Sequence, residues 1–303
     1  MSLRPPSKLS LRSQRAFILF PLTLKRLSSS KKWQARQLRD RFTKEAAVQG
    51  LKSRAAFKLI QIDAKYRIFR NGQTVVDLGY APGSWSQVAV SRTQPNGRVL
   101  GVDIIPAQPP KGLSTIQGNF LDPNVQAYVQ EFLRDPTRGR PHPLDIVSHV
   151  GLSPEKGVDR NTTENCKVIE ESHRTGRRIV DVVLSDMSAP WYQISGFWRR
   201  SLSNPYNRMM NTSGMTFRDH VGSMDLCRAA LHFSFEVLKA GGHFVCKFYQ
   251  GAEDKDLEKQ LGGLFQKVHR LKPESSRNES KEAYFIGLAR KQDAIRHEVL
   301  TPP

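Results

Sequence analysis

One apolar segment that ends in a glycine-containing turn places the strongest constraint on the fold of this chain. Residues 74–80 read TVVDLGY, and such a run of β-branched and apolar residues is typical of a buried strand. The turn Ala81-Pro82-Gly83 follows, and residues 84–93 have the composition of a helix. A buried strand that leads through a glycine turn into a helix lets the backbone approach a ligand closely, as in α/β folds.

The alternation of strands and helices continues along the chain. We predict seven strands, at residues 74–80, 98–105, 114–120, 180–187, 243–249, 266–272 and 282–290. The predicted helices lie at residues 53–68, 84–93, 123–133, 221–239 and 254–265, the fourth of them ended by Gly241-Gly242. This order predicts an α/β fold with an open, mostly parallel sheet and helices on both faces, whose ligand lies at the carboxyl ends of the strands.

The charge balance restricts the partners of the chain. Lys and Arg number 47 and Asp and Glu number 28, which gives a formal net charge of +19. A surface this positive attracts polyanions and releases their counterions on binding, so we expect RNA as the partner. A small-molecule substrate would leave this charge unexplained. No run of about 18 apolar residues occurs, and no membrane span is expected.

The cysteines show neither a disulfide pattern nor a zinc pattern. Cys166, Cys227 and Cys246 are an odd number and lack a CxxC spacing. We interpret them as free thiols in a reducing compartment, and we expect no zinc site.

The first 40 residues differ in composition from the rest. Residues 1–39 contain ten Lys and Arg and no Asp or Glu, with an apolar patch at residues 16–20. We interpret residues 1–40 as a mitochondrial transit peptide, and the alternative is a disordered RNA-binding arm. The expected catalytic domain covers residues 46–291. A polar insertion at about residues 135–178 interrupts it, and residues 292–303 follow as a tail.

Ligand-binding residues follow three successive predicted strands. The turn after the first strand has two glycines four residues apart with a proline between them, which suits the methionine moiety of S-adenosylmethionine better than a pyrophosphate. The second strand ends in a carboxylate able to take both ribose hydroxyls of an adenosine group. The third ends in an amide able to meet an adenine edge beside an aromatic ring. We predict a cofactor site formed by Gly79, Pro82, Gly83, Asp103, Asn119 and Phe120.

Five motifs together are specific to a family. They are SRAAFKL (53–59), VVDLGYAPGSWSQ (75–87), LSDM (184–187), GGHFVCK (241–247) and KPESSRNESKE (272–282). This set resembles the FtsJ/RrmJ family of RNA 2′-O-methyltransferases. The resemblance implies a class I S-adenosylmethionine-dependent methyltransferase (Rossmann-like) fold whose last strand is antiparallel. It also implies cofactor contacts from Gly83, Trp85, Asp103, Asn119 and Asp186.

The chain departs from the family pattern at three positions of the cofactor site. Asn119 stands where the bacterial pattern has Asp, although an amide can also bond adenine. Tyr80 and Ser84 replace small residues in the turn.

The resemblance further implies a catalytic Lys-Asp-Lys-Glu tetrad, which matches Lys58, Asp186, Lys247 and Glu282. Asp186 and Lys247 end neighbouring predicted strands, where an unpaired charge would be costly. We hypothesise that Lys247 is the general base, with a pKa lowered by burial and by the neighbouring Lys58 cation. Asp186 would orient Lys247, and Glu282 would hold the lysines or the ribose. This chemistry requires no metal ion.

The substrate is indicated by the resemblance together with the leader. The nearest likeness lies with the large-subunit ribosomal branch of the family, which implies a monomeric enzyme of the mitochondrial matrix. It would modify large-subunit rRNA or a pre-ribosomal particle during ribosome biogenesis, at a uridine of the peptidyl-transferase A-loop. The alternatives are a tRNA 2′-O-methyltransferase and a non-catalytic ribosome-assembly factor.

Several basic and aromatic residues are candidates for RNA contact. Those for phosphate are Lys52, Arg54, Arg199, Arg200, Arg208 and Arg218. Those for stacking on a base are Trp191, Tyr192, Phe197 and Trp198, which could instead pack within their own loop. Arg277, in the Ser-Ser-Arg motif, is expected to face the substrate cleft.

Overall fold

The computed structural model describes residues 39–140, 178–189, 191–192, 209–210 and 212–300. The fold below is that of the compact unit that begins at Arg41. Most of the predicted leader and of the predicted insertion lies outside the described residues.

Seven strands form the main sheet. The strands of the described residues are β1 Thr74–Leu78, β2 Arg98–Asp103, β3 Leu113–Gln117, β4 Val180–Ser185, β5 Trp191–Tyr192, β6 Met209–Met210, β7 Leu238–Tyr249, β8 Phe265–Leu271 and β9 Glu282–Arg290. The sheet order is β3-β2-β1-β4-β7-β9-β8, while β5 and β6 pair separately. Within this sheet, neighbouring strands from β3 through β2, β1 and β4 to β7 are parallel, and β9 is antiparallel to both of its neighbours. The predicted seven-stranded, mostly parallel sheet with an antiparallel last strand is confirmed.

Helices cover both faces of this sheet, as predicted. Those of the described residues are α1 Arg41–Val48, α2 Ala55–Tyr66, α3 Ser84–Thr93, α4 Pro123–Arg134, α5 Thr216–Val237, α6 Asp254–Leu264 and α7 Arg296–Leu300. One apolar cluster contains residues of α4, α5 and α6, and the other contains residues of α2 and α3. No helix among the described residues is long and apolar enough to cross a membrane.

Most predicted bounds differ from the structure by at most three residues, and the starts of α5 and β7 differ by five. The helix predicted at 221–239 begins earlier, at Thr216, and strand β7 starts directly after it at Leu238. Leu238 pairs with Val180 of β4, and this pairing of the sheet takes the place of the expected glycine stop. The predicted tail contains α7, whose Val299 is fully buried in the core. Cys227 and Cys246 are buried free thiols, whereas Cys166 lies outside the described residues.

Gly101 on β2 makes room for the ring of Tyr80. A Cβ atom at position 101 would lie 2.7 Å from Cγ of Tyr80, so only glycine fits beneath the ring. Tyr80 is 5% exposed, and its hydroxyl donates to the carbonyl of Ala107 at 3.1 Å. The bulky residue of the turn is therefore buried against β2, and it ties the turn to the segment that follows β2.

We predict that Gly101→Ala lowers the free energy of unfolding by about 1–3 kcal/mol, because the new methyl group overpacks against Tyr80. Urea unfolding measures this loss. In a Tyr80→Ala background the same substitution should lower the free energy of unfolding by less. A double-mutant cycle that finds no coupling between positions 80 and 101 would show that the two residues do not contact each other. Gly262→Ala is the control, since a Cβ atom there meets nothing within 4 Å.

Candidate active site

Four charged side chains meet at one edge of the sheet as two ion pairs. Lys247 Nζ lies 3.1 Å from Asp186 Oδ1, and Lys58 Nζ lies 2.6 Å from Glu282 Oε1. All four are largely buried, with side-chain exposures between 5% for Lys247 and 20% for Asp186. The structure thus brings together the four residues that the resemblance implied as a tetrad.

The register of the sheet creates this cluster. Ser185 of β4 pairs with Cys246 of β7, so the next residues, Asp186 and Lys247, stand side by side at the carboxyl ends of parallel strands. On the other side, Tyr249 of β7 pairs with Glu282 of the antiparallel β9. Helix α2 contributes Lys58. A one-residue slip in either pairing would send these side chains to opposite faces.

The ammonium group of Lys247 has three acceptors. It donates to Ser188 Oγ at 2.7 Å and to the carbonyl oxygen of Asp186 at 2.7 Å, in addition to the ion pair with Oδ1 of Asp186. A lysine ammonium carries three N–H donors, so these three partners account for all of them.

The pKa of Lys247 is raised, contrary to the lowered value that we expected from the sequence. Burial is the largest single influence and lowers the pKa, but Asp186, Tyr249 and Glu282 together outweigh it. Lys58, the cation that was expected to lower this pKa, is paired with Glu282 at 2.6 Å. The free protein therefore holds Lys247 as an ammonium ion.

Glu282 is held in its ionised form. Burial raises its pKa, but the cations of Lys58 and Lys247 and a hydrogen bond from Ser276 lower it further, and the net pKa is lowered. Ser276 Oγ donates to Glu282 Oε1 at 2.7 Å. Sequence reasoning did not single out Ser276 for this contact, although it lies within the Ser-Ser-Arg motif.

Tyr284 and Ser188 also belong to this site and were missed from the sequence. The Tyr284 hydroxyl donates to Asp186 Oδ1 at 3.4 Å, and burial together with Asp186 raises its pKa well above the usual range. Tyr284 follows Glu282 by two residues on a strand, and this period of two was the available signal. Ser188 follows Asp186 by two residues in a loop, where no period applies.

The turn after β1 has the predicted glycine geometry. Gly79 and Gly83 have φ angles of 75° and 105°, a region that favours glycine. A Cβ atom at Gly79 would lie 2.8 Å from Cα of Met187, and one at Gly83 would lie 2.7 Å from Cδ of Pro110. Pro82 follows a cis peptide bond in this turn.

Asp103 shapes the turn. Its two carboxylate oxygens accept hydrogen bonds from the backbone N–H groups of Ala81 and Ile105, each at 2.9 Å. Burial raises the pKa of Asp103, against the lowering effect of these bonds. A carboxylate has about four lone-pair sites, so both oxygens retain the capacity to accept ribose hydroxyls.

The other predicted cofactor residues divide into two groups. Asn119 is exposed, and its side-chain oxygen accepts from the N–H of Leu121 at 3.1 Å. The side chains of Trp85 and Phe120 instead pack in the core, at 2% and 4% exposure. Trp85 Nε1 donates to the carbonyl of Ala55 at 3.0 Å. A cofactor contact at these two positions therefore falls chiefly to their backbone.

The residues that follow Asp103 and Asn119 offer apolar surface. Ile104 is 38% exposed and the residue after Phe120, Leu121, is 48% exposed. Exposed apolar side chains beside polar groups at two neighbouring strand ends suit a flat heterocyclic ring. Sequence reasoning did not select these two residues, because Ile104 fell within the predicted strand 98–105 and Leu121 just after the predicted strand 114–120.

The candidate RNA contacts are partly described. Lys52 is exposed, and its ammonium group donates to the carbonyl oxygen of Gln108. Arg218 is exposed near the start of α5. Arg54 donates to the carbonyl of Ser275, and burial followed by the charge of Arg277 lowers its pKa. Trp191 and Tyr192 form β5, and the candidates Phe197, Trp198, Arg199, Arg200 and Arg208 lie outside the described residues.

The sheet, the glycine turn and the buried tetrad define a methyltransferase of the class I type. The family model for FtsJ-like methyltransferases matches residues 51–290. This chain belongs to that family.

Relatives support the assignment over nearly the whole chain. The chain is 41% identical to "rRNA methyltransferase 2, mitochondrial" of Saccharomyces cerevisiae, over 90% of this chain and 92% of that protein. It is 35% identical to the protein of the same name from Schizosaccharomyces pombe, over 86% and 95%. It is 33% identical to "Ribosomal RNA large subunit methyltransferase E" of Bartonella bacilliformis, over 86% and 84%.

A solved structure supports the fold. A crystal structure titled as a ribosomal RNA methyltransferase from Plasmodium falciparum superposes with a TM-score of 0.50 at 24% identity. The likeness covers 79% of this chain and 98% of that one.

Asp77 on β1 is a buried carboxyl group beside this site. Ser86 Oγ donates to its Oδ2 at 2.5 Å, and its Oδ1 has no hydrogen-bond partner among the described residues. Burial raises the pKa of Asp77 to about 8, with a smaller contribution from Asp186 and Asp103. The folded protein therefore keeps this carboxyl group protonated at neutral pH.

This protonation predicts a pH dependence of stability. Between about pH 4, the ordinary pKa of Asp, and about pH 8, the folded protein binds a proton that the unfolded chain does not. Stability from Asp77 is thus lost as pH rises through that window. Asn mimics the protonated acid, so Asp77→Asn should gain stability relative to the unsubstituted protein from about pH 4 to about pH 8 and level off above.

Urea unfolding at a series of pH values measures this difference. The control is Asp225→Asn, at an exposed position of α5. A stability difference for Asp77→Asn that does not change with pH would contradict a protonated Asp77.

Proposed function

We propose that this protein methylates a ribose 2′-hydroxyl of mitochondrial large-subunit rRNA, at a uridine in the peptidyl-transferase A-loop, with S-adenosylmethionine as the methyl donor. The observation that carries the proposal is the buried Lys247–Asp186 pair at 3.1 Å beside the Lys58–Glu282 pair at 2.6 Å. The names of the yeast and bacterial relatives, which specify mitochondrial and large-subunit rRNA methyltransferases, support the substrate and the compartment.

The turn and the neighbouring strand ends fit the proposed cofactor. The left-handed φ angles of Gly79 and Gly83 set the course of the turn, and their close approach to Met187 and Pro110 holds it beside the strand ends. Asp103 would accept from the ribose hydroxyls of the adenosine, Asn119 would meet the adenine edge, and Ile104 would offer the ring an apolar surface. When bound, S-adenosylmethionine supplies a methyl group that its positive sulfur already activates.

Lys247 would act on the proton of the ribose 2′-hydroxyl. A general base must be neutral to accept a proton, and the raised pKa means that Lys247 first has to release one. The neutral amine would then take the 2′-hydroxyl proton as the ribose oxygen forms its bond to the methyl carbon. The electron pair of the broken methyl–sulfur bond goes to sulfur. Asp186 would stabilise the ammonium ion that results.

Glu282 would hold Lys58 and the ribose. Its ionised carboxylate already accepts from Lys58 and Ser276. An ionised carboxylate has further acceptor capacity for a ribose hydroxyl, which would keep the sugar in line for transfer.

Positive charge near the tetrad would bind the RNA backbone. The guanidinium groups of Arg54 and Arg277 are close enough for each charge to act on the other, and the segment of Ser275 leads into Glu282. Two neighbouring cations favour a phosphate between them. The formal net charge of +19 adds a long-range attraction for rRNA.

We predict that Lys247→Ala lowers the rate of methyl transfer by about 10²–10⁴-fold, the usual contribution of a general base. The measurement is a map of ribose methylation on mitochondrial rRNA in cells that lack the protein, rescued with each variant. Lys267→Ala, at an exposed lysine of β8, is the matched control and should restore the map.

The same map separates the alternatives. Loss of one large-subunit methyl group, restored by the unsubstituted protein and not by Lys247→Ala, supports the proposal. An unchanged rRNA map with a missing tRNA methyl group would favour a tRNA enzyme. Full rescue by Lys247→Ala would show that another group is the base.

The leader makes a separate prediction. Residues 1–40 fused to a fluorescent protein should direct it to mitochondria, because basic and acid-poor leaders are typical of import signals. Replacement of the ten Lys and Arg of residues 1–39 by Gln should abolish import, as seen by microscopy and fractionation. A fusion that stays in the cytosol and binds RNA would favour the RNA-binding arm.

A further inference from the structure

All three N–H donors of the Lys247 ammonium group already have protein partners, so a substrate must displace one of them to reach the nitrogen. Its three donors are all engaged, by the Asp186 carbonyl, by Asp186 Oδ1 and by Ser188 Oγ, and its side chain is 5% exposed. A ribose 2′-oxygen can contact the Lys247 nitrogen only if one of these partners gives up its place. The identity of that partner determines how the substrate enters the site.

The carbonyl of Asp186 is held by the main chain. The backbone N–H of Asp186 donates to the carbonyl of Leu78 at 3.2 Å, so the residue is tied to the carboxyl end of β1 immediately after β4. Displacing the carbonyl would require the chain to move at the centre of the sheet, where packing resists such shifts.

The carboxylate of Asp186 is held by charge. Oδ1 pairs with the Lys247 ammonium and also accepts from the Tyr284 hydroxyl at 3.4 Å. Separating a buried ion pair costs more than breaking a hydrogen bond to a neutral hydroxyl group.

Ser188 has neither restraint. Its hydroxyl is neutral, turns about a single bond and belongs to a half-buried residue in the loop after β4. A ribose 2′-hydroxyl has the same chemistry as the serine hydroxyl, one O–H donor with acceptor lone pairs, so one can take the place of the other without leaving Lys247 with an unmet donor.

We propose that Ser188 is a positioning residue whose hydroxyl occupies one N–H of Lys247 in the free enzyme and yields that place to the ribose 2′-oxygen of the substrate. The inference rests on the proposed function, because it takes Lys247 as the group that meets the ribose. It adds Ser188 to the functional residues beside the tetrad. The substrate would then reach Lys247 from the position that Ser188 occupies in the free enzyme.

Proton exchange at the Lys247 ammonium group tests this directly. In protein labelled with ¹⁵N-lysine, the Nζ signal of Lys247 is assigned by its loss in Lys247→Arg. Hydrogen-bonded ammonium protons exchange slowly with water. Ser188→Ala should speed their exchange about tenfold or more. A hydrogen bond to a charged group contributes enough free energy to change an equilibrium constant by about this factor. Ser188→Thr keeps the hydroxyl and should restore slow exchange, and Ser91→Ala, at an exposed serine of α3, is the control.

Two RNAs then test the exchange of partners. Ser188→Ala is saturated with S-adenosylhomocysteine, which prevents turnover, and with an A-loop hairpin RNA that carries either a ribose or a 2′-deoxyribose at the target uridine. We expect the ribose RNA to return the Lys247 protons to slow exchange and the deoxy RNA to leave them fast. Fast exchange with both RNAs, or slow exchange with both, overturns the proposal.

The outcomes distinguish a failure of the Ser188 proposal from a failure of the proposed methyltransferase function. Unchanged exchange in free Ser188→Ala shows that Ser188 does not hold Lys247, whatever the protein methylates. Full methyl transfer by Lys247→Ala overturns the role of the lysine as base, while the exchange rates of the free protein still report its contact with Ser188.

Discussion

The burial of one ammonium group sets the requirements for the rest of the site. Lys247 lies on a strand inside the sheet, where an unpaired charge would cost several kcal/mol. The structure meets this cost with Asp186, which the register of β4 and β7 places directly alongside. The same register requires β4 and β7 to be neighbours. The antiparallel β9 then brings Tyr284 opposite Lys247. The pairing of strands and the pairing of charges therefore depend on each other.

The two ion pairs differ in the group that each keeps charged. Burial lowers the pKa of Lys247, and Asp186, Tyr249 and Glu282 together raise it further, while Lys58 is paired with Glu282. The resting site consequently stores a proton on Lys247. The ionised Glu282 accepts from Lys58 of α2 and from Ser276, and a carboxylate has further acceptor capacity beyond these two contacts.

The proposed cofactor side of the site is built from backbone more than from side chains. Each carboxylate oxygen of Asp103 accepts one hydrogen bond from the backbone of the turn, from Ala81 or from Ile105. These bonds fix the loop that would face the ligand. Tyr80 fixes the same loop from beneath, against Gly101. A rigid turn with exposed Ile104 and Leu121 beside it is a preformed surface rather than one that the ligand must order.

The sequence by itself determined the seven strands, the helices on both faces, the glycine turn and, through the motifs, the four residues of the tetrad. The strands, helices and turn are encoded locally, by periodicity and turn chemistry, whereas the tetrad was implied by the resemblance of the motifs to the family. Only the tertiary structure decided the start of β7 at Leu238, the burial of Trp85 and Phe120, the hydroxyl of Ser188 on Lys247 and the raised pKa of that lysine. Each of these depends on distances between residues far apart in the chain. Burial lowers the pKa of Lys247, but Asp186, Tyr249 and Glu282 together raise it further, because Coulomb interactions follow separation in space and not in sequence.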